Sequence, residues 1–179
     1  MVLQAAFDVS QIETRLPEIC GEYKQLLAFG HCGSRVWRQI DQPLKGKNLL
    51  DSRSISIVKG FLRRIKLKHY EIVYPFEVFH INLRALGKQL GWYSDSSLGI
   101  GFNAIFGTWS AFRVFLLADT AYEIRSNRYS ELKSVHLKRS PCELCADKAR
   151  AGACPIGIEY LYSSDQQGYH DQQSLELIQ

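Results

Sequence analysis

Apolar residues recur along the first half of the chain with the periods of strands and helices in turn. Residues 24–29 form a short apolar run stopped by Gly30, which predicts a buried strand. After Asp51 the apolar positions Ile55, Val58, Leu62 and Ile65 take helical spacing, which predicts a helix with a basic last turn. Residues 69–74 alternate and precede Pro75, so they predict a second strand. Short helices are also predicted over 8–20 and 34–40.

The second half continues with a helix and a strand. Leu83, Leu86 and Leu90 extend an apolar stripe from Phe79, and Gly91 is a natural helix stop. Residues 110–117 are almost wholly apolar and predict a central strand. This order of elements predicts an α+β domain over residues 1–135, in which helices cover a layered sheet. Residues 136–160 are expected to form a separate metal-binding segment. The polar residues 161–179 are expected to form a mobile, unpacked tail.

Composition narrows the class of protein. The chain has 179 residues, of which 46% are apolar, so a proper core can be buried. No secretory start and no long apolar run are visible, which favours a soluble cytoplasmic protein without a membrane partner. The net charge of +4 comes largely from local runs and does not indicate nucleic acid. Five cysteines in such a chain are expected to be ligands, reactive thiols or core residues rather than disulfides.

Three of these cysteines cluster in one segment. Cys142 and Cys145 form a C-x2-C pair, and Cys154 is followed by Pro155, as in ferredoxin-type iron–sulfur motifs. Soft thiolates are the donors that iron–sulfur clusters and zinc require. The segment therefore predicts a metal centre, in the first place a 4Fe-4S cluster, held by Cys142, Cys145 and Cys154.

The ligand set of this segment is incomplete, since four ligands are usual. Ala149 and Arg150 stand where a further cysteine would be expected. A fourth ligand could come from His136, Cys32, Cys20 or an exogenous group. A structural zinc site with His136 is an alternative, as is a degenerate loop that has lost its metal.

Two stretches carry a resemblance to a known superfamily. LRALGKQLGW and SSLGIGFNAIFGTWSAFRVFLLAD, followed by the C-P segment, resemble the cobalamin-dependent epoxyqueuosine reductases and reductive dehalogenases. FGTWSAFRVFLL also looks like a motif of CblC-type cobalamin-processing proteins. The resemblance implies a nitroreductase-like α+β domain that binds cobalamin, followed by a ferredoxin-like segment whose cluster would pass electrons to that cofactor or to a flavin. The chain is shorter than those reductases and has a single cysteine segment, so it is expected to be a shortened, divergent relative.

Four residues are the candidates for cofactor binding. Gly107 allows a ligand or another backbone to approach closely, and Trp109 belongs to an aromatic group that suits either a planar cofactor or a plain core. Arg113 needs an anionic partner if it is buried, and a structural partner would be Asp119 or Glu77. The resemblance places the matching arginine at a cofactor pocket. His31 follows a strand, where α/β proteins often build sites.

Together these features predict an iron–sulfur redox protein that passes electrons to a bound cofactor or substrate. Its partners would be an electron-donor protein and a small-molecule or corrinoid ligand. Whether the chain is itself an enzyme, in that case an oxidoreductase, is left open by the sequence. The alternative is a non-enzymatic binding or adaptor protein, either zinc-stabilised or metal-free.

Overall fold

The computed structural model describes residues 2–12, 21–40, 48–75, 82–89, 92–95, 101–122 and 154–176. Within these ranges the chain is α+β, with a four-stranded antiparallel sheet, a two-stranded ribbon and three α-helices. The strands are β1 (Val2–Asp8), β2 (Gln25–Cys32), β3 (Tyr70–Tyr74), β4 (Ser94–Asp95), β5 (Gly101–Phe102) and β6 (Ser110–Ala118). The helices are α1 (Leu49–Arg64), α2 (Leu83–Gln89) and α3 (Ser164–Glu176).

The sheet is built around β6, the most apolar strand. Its order is β1-β2-β6-β3, so β6 pairs with β2 on one side and with β3 on the other. Residues 114–118 of β6 are fully buried, because one face of the strand meets α1 and the other meets α2. The prediction of a central strand at residues 110–117 is therefore confirmed.

Alternate residues of β6 divide the core into two layers. Val114, Leu116 and Ala118 pack with Val58 and Leu62 of α1. The opposite face carries another apolar set that includes Leu86 of α2; it consists of Leu26, Ala28, Val73, Leu86, Phe112, Phe115 and Leu117. This is the arrangement expected of a sheet covered by helices, since each strand presents side chains to both faces.

The regular alternation of β6 is interrupted once, at Arg113. Phe29 of β2 pairs with Val114, whereas the next residue, Gly30, pairs with Phe112, so Arg113 is the extra residue of a β-bulge. Phe112 consequently packs on the α2 side, while Arg113 and Val114 both lie on the α1 side. A bulge turns a side chain toward a face that strict alternation would deny it.

Several sequence predictions hold and others need correction. The strands at 24–29 and 69–74 and the helices after Asp51 and Pro75 are present, although the last is confined to Leu83–Gln89 in the described residues. Strand β1 was not predicted. Asp8 accepts a hydrogen bond from Ser10 N and caps only a 3₁₀ turn at Val9–Gln11, and the rest of the helix predicted over 8–20 lies outside the described residues. The predicted helix at 34–40 is a 3₁₀ turn at Trp37–Gln39.

The C-terminal tail also differs from the expectation that it is unpacked. Residues Ser164–Glu176 form α3, Tyr162 is 9% exposed and Gln166 is fully buried. Polar composition misled the prediction, because the packing depends on a few aromatic side chains rather than on an apolar stripe. The segment predicted to bind metal is described only from Cys154 onward. No helix among the described residues is long and apolar enough to cross a membrane.

The two-layer core makes β6 the most sensitive strand. Leu116 is fully buried on the α1 face, so Leu116→Ala should lower the free energy of unfolding by about 2–5 kcal/mol. Leu161→Ala, at a side chain 46% exposed, is the matched control and should change it by less than about 1 kcal/mol. Urea denaturation followed by circular dichroism measures both, and equal effects would contradict the described burial.

Candidate functional site

The bulge in β6 brings Arg113 to a buried polar cluster on the α1 side of the sheet. Its Nε donates a hydrogen bond to Nε2 of His31 at 2.9 Å. Its Nη1 lies 3.4 Å from Oδ1 of Asp51, in the first turn of α1. The Arg113 side chain is 14% exposed and that of Asp51 is 24% exposed, so the ion pair is largely withdrawn from water. The arginine that the sequence singled out thus joins elements from three parts of the chain.

His31 is held in one protonation state by its two neighbours. It is 1% exposed, and its Nε2 must accept because the guanidinium can only donate. Nδ1 therefore carries the proton and donates to the carbonyl oxygen of Gly33 at 3.2 Å. Burial, followed by the positive charge of Arg113, lowers the pKa of His31 to about 3. The imidazole is neutral at physiological pH.

Asp51 supplies the negative charge of the cluster. Burial raises the pKa of its carboxyl group, and the positive charge of Arg113 opposes that rise. Of the two expected partners of Arg113, Asp119 and Glu77, the expectation for Asp119 has to be corrected. Asp119 instead pairs with Lys24 at 2.8 Å on the surface, and Glu77 lies outside the described residues.

A small cavity adjoins the cluster between the sheet and α1. Its volume is about 10 Å³, close to what a single water molecule needs. The walls are mostly apolar, with His31, Ser54 and Arg113 as the polar groups. Ser54 already donates to the carbonyl oxygen of Leu50 at 2.7 Å. In this closed arrangement the cavity is far too small for a flavin or a corrin.

Gly107 and Trp109 contact the end of the cysteine segment. Indole Nε1 of Trp109 donates to the carbonyl oxygen of Cys154 at 3.1 Å, and Trp109 is 2% exposed. Gly107 has φ +59°, and a Cβ there would collide with the carbonyl oxygen of Ile156 and stand 2.7 Å from Sγ of Cys154. The sequence allowed either a ligand or another stretch of backbone to approach Gly107, and the structure shows the backbone of Ile156 there.

Tyr162 connects this contact to the polar cluster. Its ring lies 5.9 Å from that of His31 with an interplanar angle of 15°, and 5.5 Å from Trp109 at 76°. All four predicted cofactor-binding residues therefore belong to one continuous region, in which His31 contacts Arg113 and Trp109 contacts Cys154. Tyr162 and Asp51 were not singled out from the sequence. In the sequence Asp51 stood out only as a residue that suits the start of a helix, and nothing indicated that it pairs with Arg113.

Cys32 occupies a different environment from Cys154. It is 6% exposed and packs with Phe106 and Tyr160, and burial raises the pKa of its thiol. A raised pKa favours the neutral thiol over the thiolate that binds metal. Cys154 is half-buried at the edge of its segment. The described residues include no group of three histidine, cysteine or acidic side chains that could hold a metal; Cys142, Cys145, Cys20 and His136 lie outside them.

Comparison of the chain with protein families, with curated proteins and with solved structures finds no match. The description of the site therefore depends on the sequence and the structure of this chain alone.

The contact of Gly107 with the cysteine segment can be tested by a pair of glycine variants. Gly107→Ala should lower the free energy of unfolding by roughly 2 kcal/mol or more, because its φ is positive and its Cβ would meet the backbone of Ile156. Gly60→Ala, in α1 with no atom near its Cβ, should raise it by about 0.4–1 kcal/mol. Urea denaturation measures both. A neutral Gly107→Ala would contradict the docking of the segment.

The neutral state of His31 predicts a dependence of stability on pH. The unfolded chain binds a proton at His31 below about pH 6.5, whereas the folded chain does so only near pH 3. The stability that the neutral ring contributes is therefore fully present above pH 6.5 and is lost as the pH decreases below that value. Between pH 6.5 and pH 5 the loss should be roughly 2 kcal/mol. His31→Gln, whose amide oxygen can still accept from Arg113, should lack this part of the slope.

Denaturation of wild type and variant at a series of pH values measures the difference in slope. The other groups that face His31 are Arg113, His170 and Asp51 through the arginine, and they are common to both proteins. Identical slopes would show that the pKa of His31 is the same in the folded and the unfolded chain, and would contradict its burial as a neutral ring.

Proposed function

We propose that the chain is an iron–sulfur redox protein, in which a cysteine segment that holds the cluster is docked on an α+β domain that binds a second cofactor or a substrate. The observation that carries the proposal is the contact of Cys154 with Gly107 and Trp109. One of the three predicted thiolate ligands is thereby fixed against the turn that leads into β6, the strand that supplies Arg113.

The donor chemistry of the segment suits such a cluster. Cys142, Cys145 and Cys154 would hold it, and thiolates are the protein ligands that iron–sulfur clusters take. Cys154 is half-buried and precedes Pro155, the order found in ferredoxin-type motifs. The cluster would supply one-electron transfer. Trp109 and Gly107 position the last ligand.

A relation to the nitroreductase-like, cobalamin-dependent reductases belongs to the same proposal. It is supported by the sequence resemblance over LRALGKQLGW and FGTWSAFRVFLL and is compatible with the α+β architecture. The cofactor, a cobalamin or a flavin, would lie near His31, Trp109 and Arg113. An electron-donor protein would reduce the cluster from outside.

A second candidate is a binding or adaptor protein whose cysteine segment is zinc-stabilised or has lost its metal. It is favoured by the closed packing of the region, since Gly107 and Trp109 are covered and the adjoining cavity holds little more than one water. In that case the contact of Cys154 with the domain serves stability only.

Metal analysis separates the two candidates. The protein is purified anaerobically, and iron, acid-labile sulfide and zinc are measured per chain with an absorption spectrum of the same sample. Equal iron and sulfide with absorbance near ~400 nm are expected, since a cluster contains both. Stoichiometric zinc with unfolding by a chelator would establish the adaptor. A colourless protein without iron would overturn the redox proposal.

Two cysteine variants test the assignment of the ligands. Cys154→Ser should lose most of the iron and sulfide, because a serine hydroxyl replaces a soft thiolate. Cys32→Ala, at a thiol buried beside Phe106 and Tyr160, should retain both. The reverse result would place the cluster on Cys32 and contradict the proposed role of Cys154.

A further inference from the structure

The end of β2 and the turn before β6 are covered by aromatic rings from the C-terminal segment. Tyr162 lies between His31, 5.9 Å away and nearly parallel, and Trp109, 5.5 Å away and edge-on. Farther along, Tyr169 of α3 packs on Trp37 at 5.1 Å. A ring that is parallel to one aromatic face and edge-on to another occupies a position in which any flat conjugated system would be stabilised.

The packing of α3, the helix that follows Tyr162, includes an unfavourable burial. Gln166 lies between the two tyrosines in sequence and is fully buried, yet neither its amide nitrogen nor its amide oxygen has a hydrogen-bond partner within the described part of the chain. Burying an amide without partners disfavours the packed state. The helix is also polar, with the sequence SDQQGYHDQQSLE, and it contains Gly168. A backbone tie precedes it, from Ser163 N to Ser34 Oγ at 2.7 Å.

We propose that Tyr162 and α3 form a displaceable cover over a binding site for a flat conjugated ring, with His31 and Trp109 as its walls and Arg113 behind His31. This inference rests on the proposed redox function, because flavins and corrins are redox cofactors with such rings. The ring takes the place of Tyr162 when the cover lifts.

The cover and the ring compete for the same walls, which fixes the sign of two substitutions. The apparent affinity for a ligand falls in proportion to the fraction of molecules in the open state. Tyr162→Ala removes the competing ring and should strengthen binding. Gln166→Leu replaces the unpaired amide by an apolar side chain of similar size, stabilises the covered state and should weaken binding.

The experiment titrates the full-length protein with two probes, flavin mononucleotide and hydroxocobalamin, which share a flat conjugated ring. Binding is followed by tryptophan fluorescence, and amide hydrogen exchange of residues 164–176 reports opening of the cover. Relative to wild type, Tyr162→Ala should lower the dissociation constant of at least one probe about tenfold and speed the exchange. Gln166→Leu should raise that constant about tenfold and slow the exchange. Lys59→Gln, at an exposed position of α1, is the control and should leave both unchanged.

Opposite shifts of probe affinity in the two variants support the proposal, and the responding probe tells a flavin from a corrin. Unchanged affinity, or a shift of the same sign in both, overturns it, even if exchange and stability change as for any packed helix. Iron is measured on the same samples. Opposite shifts without iron would refute the redox function but retain the covered site. Iron without opposite shifts would support the redox function and refute the covered site.

Discussion

The position of Arg113 in the central strand is the constraint on which the rest of the region depends. Strict alternation along β6 would direct its guanidinium toward the α2 layer, among Phe115 and Leu117, where the described cluster is apolar and burying a charge is costly. The bulge opposite Phe29 and Gly30 turns it to the α1 side instead. There it meets the carboxylate of Asp51 and the ring nitrogen of His31. Sheet register, the start of α1 and the end of β2 are therefore tied to one buried cation.

Gly30 makes this arrangement sterically possible. A Cβ at that position would stand 2.9 Å from the carbonyl oxygen of Ala111, in the part of β6 that leads into the bulge. The glycine that ends the apolar run in the sequence thus has a second role in the fold, since it lets the bulged strand approach β2 closely. The next residue is His31, so the close approach of the two strands at Gly30 positions both His31 and Arg113, the two partners of the hydrogen bond.

The sequence revealed the parts of this region that depend on local chemistry. An arginine in an apolar strand, a glycine before a tryptophan and a histidine after a strand all stand out by residue type, and the strands and helices around them follow from periodicity. Asp51 as the partner did not follow, because the choice of partner depends on the bulge, and a shift of one residue exchanges the faces of a strand. Likewise, in the described part of the C-terminal segment the packing involves a few side chains, chiefly Tyr162, Gln166 and Tyr169, and so few positions do not stand out against a polar background.

The electrostatics of the cluster explain why the region is closed rather than open. The charge of Arg113 is balanced by Asp51, and His31 is neutral with both ring nitrogens engaged. Such a cluster has no unbalanced charge that would attract a small ion. A ligand therefore gains most by replacing a protein group that already contacts the cluster. Tyr162 is that group, because it contacts both His31 and Trp109, and the helix that follows it buries the Gln166 amide without a partner among the described residues. Replacement of the Tyr162 ring by a ligand ring would also change the contacts of Trp109, whose indole donates a hydrogen bond to the backbone of Cys154.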